Sequence, residues 1–207
     1  MQLTTKAGLV LVALGVGIFS AWHWWTKTRN FVPVNIPVSL AANQSITAQF
    51  KPNFDGLYLV EIDAQKTLPP DTLHCLMGLE ADPARCKGLP SAIAANWILS
   101  SEGQELKRGS SVDLHSVPVE SQIVTRVIGD FQGKAGRDYT LQVTFLADDG
   151  PSLAVAHPRL KVAVASIAYT DLQSAGVLVF SIAFICGLFG VILLGIALSA
   201  KRSARVV

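Results

Sequence analysis

The sequence predicts an antiparallel β-sandwich flanked by two transmembrane α-helices. Three observations predict it. An apolar run stands near each end of the chain, at 7–25 and 175–200. The segment between them alternates apolar and polar residues with period 2, the mark of half-buried strands. Turn-forming residues punctuate that segment at short intervals, as in small sandwiches.

The C-terminal run, AGVLVFSIAFICGLFGVILLGIALSA, has no charged residue in its 26 positions. As a helix it is about 39 Å long, more than the roughly 30 Å hydrocarbon core of a bilayer. Lys201, Arg202 and Arg205 follow at once and assign that end to the cytoplasm. The first run, AGLVLVALGVGIFSAWHWW, follows a short head, residues 1–6, with one lysine. Its length is about 28 Å as a helix. A cleaved signal peptide has similar proportions. Cleavage after Ala21 would put Phe19 at a position that needs a small residue, and Trp22, Trp24 and Trp25 resemble an interfacial aromatic belt. The expectation is an uncleaved anchor, with both termini inside and residues 30–172 periplasmic or extracellular. The expected location is the inner (plasma) membrane, with the lipid bilayer itself as one partner.

Charge agrees with this layout. All 15 acidic residues of the 207-residue chain lie between Asp55 and Asp171, and residues 30–172 hold these with 11 of the 17 basic ones, so the middle is net −4. Binders of nucleic acid need a basic face, so nucleic acid is not an expected partner.

Along the middle region, Val32-Pro-Val-Asn-Ile-Pro-Val-Ser-Leu40 places apolar residues at even positions. Pro33 and Pro37 remove two donors from one side, which predicts an edge strand. Ile46, Ala48 and Phe50 alternate next, then Tyr58, Val60, Ile62 and Ala64. A strand carrying Trp97 precedes the hairpin turn Ser101-Glu-Gly-Gln104. Strands at 123–128, 139–145 and 160–164 follow, and Asp148-Asp-Gly-Pro151 reads as a turn. Gly129, Gly133 and Gly136 read as turn glycines between two strands rather than a phosphate loop, because they open no helix. A glycine shortly before a tyrosine-led strand, in Gly56-Leu-Tyr and Gly136-Arg-Asp-Tyr, resembles extracellular immunoglobulin-like and jelly-roll modules.

Residues 67–90 break the pattern with four prolines, two cysteines and a helix-like piece over 71–79. Insertions of this length are often functional or capping elements. Cys75 and Cys86 enclose ten residues, and an oxidising compartment favours a disulfide between them. Its chain-entropy value is about 2–3 kcal/mol. His74 beside Cys75 is a poor metal ligand pair, since adjacent side chains seldom aim at one ion. Cys186 reads as a packing residue of the second helix. His115 and His157 belong to no catalytic motif, and neither G-x-S-x-G nor H-E-x-x-H occurs. No catalytic residue, cofactor or metal is expected.

Small residues recur at i, i+4 spacing in both apolar runs: Ala13, Gly17 and Ala21, and Ala183 and Gly187. Such stripes let helices approach closely in lipid, within the chain or with a partner. The functional expectation is a non-enzymatic binding or assembly module, an accessory subunit that docks on a membrane protein complex or on its own copies. The alternatives are an immunity-type protein that intercepts a periplasmic toxin, and an enzyme acting on the envelope.

Overall fold

The computed structural model describes residues 2–80, 83–86, 88–89, 91–111, 122–147 and 150–203. The chain divides into two compact units. One is Asn30–Ala165; the other joins the terminal segments, up to Arg29 and from Ser166. The expected turn residues Asp148 and Asp149, and His115 and Arg205, lie outside the described residues.

The Asn30–Ala165 unit holds two antiparallel sheets of four strands. The strands are β1 (Val34–Pro37), β2 (Ser45–Phe50), β3 (Gly56–Gln65), β4 (Ala95–Ser101), β5 (Gln104–Ser110), β6 (Ile123–Gly133), β7 (Tyr139–Phe145) and β8 (Arg159–Val164). One sheet runs β1-β8-β3-β6 and the other β2-β7-β4-β5. The arrangement is sandwich-like. Period-2 burial explains it: Tyr58, Val60, Ile62 and Ala64 are buried on one side of β3, and Tyr139, Leu141, Val143 and Phe145 on one side of β7. Their rings meet between the layers. Phe131 of β6 lies 5.5 Å from Tyr58, 6.0 Å from Phe50 and 5.6 Å from Tyr139, centroid to centroid. Trp97 of β4 donates its indole N–H to the Ile128 carbonyl of β6, 2.7 Å away. β1, with Pro37 at its end, is an edge strand.

Two of the three expected turn glycines belong elsewhere. Gly129 and Gly133 lie inside β6, which runs five residues beyond the expected end at 128. Trp97's indole fills the space where a Gly129 side chain would sit, and a carbon added at Gly133 would lie 2.6 Å from the Tyr58 ring. These glycines make room for aromatic rings from distant strands. Gly136 is a turn residue, with φ 76°. The β4–β5 turn has Glu102 and Gly103 both at positive φ, the geometry of a two-residue hairpin.

The two ends of this unit differ. The β2–β3, β4–β5 and β6–β7 connections lie at the end where residues 30 and 165 also stand, and all are short. Among the described residues, the long connections within 38–44, 66–94 and 146–158 are at the opposite end.

The other unit pairs α1 (Gln2–Lys27) with a long C-terminal helix, Ser166–Ser203. Both are long and apolar enough to cross a membrane, over Leu3–Lys27 and Ser174–Ser199. Residues 166–172, expected to belong with the β domain, are the first turns of the C-terminal helix. They contain neither proline nor glycine to stop it.

The seam between these helices differs from the expected stripes. The buried small residues are Gly8 and Gly15 on α1, and Gly176, Ala183, Gly190 and Ala197, spaced by seven, on its partner. A carbon added at Gly15 would stand 2.7 Å from the Ala183 carbonyl oxygen; at Gly190, 2.8 Å from that of Gly8. Ala183 is therefore in the seam, whereas Ala13, Gly17 and Ala21 are exposed. Gly187 brings its backbone to Gly15, but its own absent side chain would point into open space. Physically, an i+4 row drifts around a 3.6-residue helix, while a seven-residue repeat stays on one side. Trp22 also turns inward, its ring 3.3 Å from the Cβ position of Gly176. Trp25 stacks on Trp22 and under Arg29, and Trp24 is exposed. Lys201 and Arg202 fall in the last turn of the C-terminal helix.

Candidate functional site

The 66–94 connection contains the most constructed surface feature of the β unit. Pro70 opens the helix α2 (Pro70–Met77), where its missing N–H costs nothing. The helix α2 buries Leu73, Cys75, Leu76 and Met77. Gly78 ends it in the left-handed conformation, with its N–H returned to the Cys75 carbonyl. A single 3-10 turn, Pro83–Cys86, follows, and Cys75 and Cys86 form a disulfide with an S–S separation of 2.09 Å. The flap is thus cross-linked to itself and pegged by apolar side chains.

Arg126 of β6 fastens it to the sandwich. This arginine is 7% exposed, and its Nη1 donates to the Met77 carbonyl at 2.7 Å and the Ser91 hydroxyl at 2.9 Å. Nη2 donates to the Ser111 carbonyl at 3.0 Å. All three acceptors are neutral, and burial pushes the guanidinium below its usual range. Met77's carbonyl is one of the orphan acceptors at a helix C-terminus, so a cation is favoured there. Gly78 completes the fit, because a side chain at 78 would collide with Nη1.

A second polar group lies on the face of β3 turned away from the other sheet. Glu61 and Asp63, 9% and 8% exposed, share Lys161 of β8 at 3.0 and 3.4 Å. Thr125 of β6 donates to Asp63 at 2.6 Å. Burial raises the Glu61 carboxyl above its usual 4.5, and Asp63 adds to the rise, against the pull of Lys161. Burial also opposes the charge on Lys161, but Glu61 and Asp63 outweigh it and hold the ammonium above 10.5. The carboxylates are committed to Lys161 and Thr125, so the cluster rivets three strands. A raised carboxyl pKa adds stability that is fully present below the unfolded value and fades as pH rises through the folded one. Wild type relative to Glu61→Gln is therefore expected to be most stable below pH 4.5 and to lose that advantage above it. Urea melts of both proteins across pH 3 to 7 check this; a flat difference would contradict it.

No family model matches this chain, and no curated protein does. Among solved structures, a crystal structure of a protein from Sulfurospirillum deleyianum matches at 9% identity, with a TM-score of 0.46, over 64% of this chain and 96% of that one.

The structure brings the expected pair Cys75 and Cys86 together in the flap, beside Gly78, Leu89 and Ser91. His74 is half-buried on α2, and no group of three metal-ligating residues occurs among the described residues. Arg126 and Ser91 were not distinguishable in the sequence. An arginine within an apolar strand pattern, Ile123-Val-Thr-Arg-Val-Ile, was the available signal.

Proposed function

We propose that the chain is a two-span membrane protein whose β unit is displayed outside the cytoplasm as a binding or assembly module. Its partner is a neighbouring membrane protein or a second copy. The observation that carries the reading is the asymmetry of the β unit. Long, elaborated connections gather at the end opposite residues 30 and 165, where the chain enters and leaves. Recognition is commonly built on loops at one end of a rigid scaffold. The disulfide supports an oxidising compartment. The immunoglobulin-like or jelly-roll character of the module is part of the same reading, supported by two packed antiparallel sheets.

The flap is the proposed contact. It is stiffened by the disulfide and by Arg126, so little order is lost on binding. Its described surface offers Leu89, 43% exposed, and Arg85. The pair Arg85→Glu and Leu89→Asp changes that surface without touching the buried pegs. Full-length wild type, purified in mild detergent, is expected to retain a partner that the double variant loses, at unchanged melting temperature. A partner kept by the variant, or none with wild type, would sink the reading.

A further inference from the structure

We infer that the elaborated end of the β unit contains a binding cleft for a small carboxylate with an apolar body. The cleft encloses about 620 Å³ between the chain after β1 and the turn before β8. That is within the range of small-molecule sites. Its walls include Pro37, Val38 and Pro158. Its polar side chains among the described residues are Ser39, Gln65, His157 and Arg159, none of them acidic. Gln65 also borders a second cleft, of about 650 Å³, whose only charged member among the described residues is Lys66. Thr67, in the lining of that second cleft, donates to the Val155 carbonyl at 2.9 Å.

Arg159 is the group that selects charge. Its Nε donates to Asn35 Oδ1 at 2.6 Å, and its Nη2 to the Asn35 carbonyl at 2.8 Å. These bonds lock the side chain to β1. A guanidinium has five N–H donors, so among the described residues three stay uncommitted, including the end-on pair that fits a two-oxygen edge. Asp63, its cross-strand neighbour, is occupied by Lys161 and Thr125. A fixed cation thus lines an apolar cleft, and no described residue of the cleft carries an answering charge. His157 adds a second polar residue to the lining. It holds φ 47°, rare for a residue other than glycine, and caps the turn through its N–H to Ala154. The chemistry is a carboxylate edge on Arg159, with an aliphatic body against the prolines and Val38.

This cleft is distinct from the Arg85 and Leu89 surface, so its test stands apart from that of the docking reading. The experiment is calorimetric titration of the full-length protein in maltoside micelles, with empty micelles as blank. N-acetyl-leucine is the probe, and its neutral primary amide is the control for partitioning. The acid is expected to bind and the amide to bind about tenfold more weakly, as loss of a charge-assisted pair implies. Gln65→Glu, which adds a like charge but leaves the Arg159–Asn35 bonds, should weaken the acid by about tenfold as well. Arg159→Gln should abolish the preference for acid over amide. No binding by the acid, equal binding of acid and amide to wild type, or an unchanged affinity in Gln65→Glu would overturn the inference.

Discussion

Gly78→Ala is expected to destabilise the β unit by about 3 kcal/mol, far more than a methyl usually costs. Two effects add. Residue 78 sits at φ 66°, which costs an L side chain about 1–2 kcal/mol. The new carbon also collides with Arg126 Nη1 and stands 2.5 Å from Ser91 Oγ. The guanidinium must move, and the Met77 and Ser111 carbonyls lose their donors. Each orphaned buried acceptor costs about 1–3 kcal/mol. The two parts can be separated. With Arg126→Leu as background, the collision is absent, and Gly78→Ala should cost only about 1 kcal/mol. Chemical denaturation of the four proteins in a double-mutant cycle measures the coupling. Equal costs in both backgrounds would show that Arg126 and Gly78 do not act as one clasp. The flap would then depend on its apolar pegs and the disulfide alone.

The second large effect concerns the helix pair. Gly190→Leu and Gly15→Leu are each expected to force α1 and the C-terminal helix apart, costing about 1–3 kcal/mol of packing. At Gly190 the obstacles are the Val12 backbone nitrogen at 2.9 Å and the Gly8 carbonyl oxygen at 2.8 Å. At Gly15 they are the Ala183 carbonyl oxygen at 2.7 Å and the Gly187 nitrogen at 3.2 Å. Backbone atoms cannot rotate away as a side chain can. Gly17→Leu and Gly187→Leu should be tolerated, since nothing lies within 4 Å of either Cβ position. Disulfide crosslinking of a cysteine pair placed across the seam, with Cys186 replaced by serine, reads the difference. Crosslinking is expected to fall for the first two and to persist for the second two. The reverse pattern would restore the i+4 stripes as the contact.

Strand alternation and the two apolar helices were legible because they are local. Whether a residue at 139, 141, 143 or 145 faces the core follows from period 2 alone, and burial of these four on one side of β7 matches. The Cys75–Cys86 pair was legible for a related reason, since eleven positions along the chain keep the two thiols within reach. The glycines were not. Gly129 and Gly133 have the same sequence appearance as turn glycines, and only the rings of Trp97 and Tyr58, brought from other strands, give them a different purpose. The site was less legible than the fold. Arg126 became a clasp when α2 delivered its last carbonyl to β6, from 49 residues away. The cleft gathers Gln65, His157 and Arg159 at one end of a sheet although they are dispersed in sequence. The helix seam depended on register between helices at opposite ends of the chain, which no single helix contains. Sequence by itself determined hydrophobic period, span length and turn chemistry, because each is settled by neighbours within a few residues. Tertiary structure alone decided which glycines make room, which cation is buried and where polar groups converge, because steric exclusion and desolvation depend on atoms that the chain brings together only when folded.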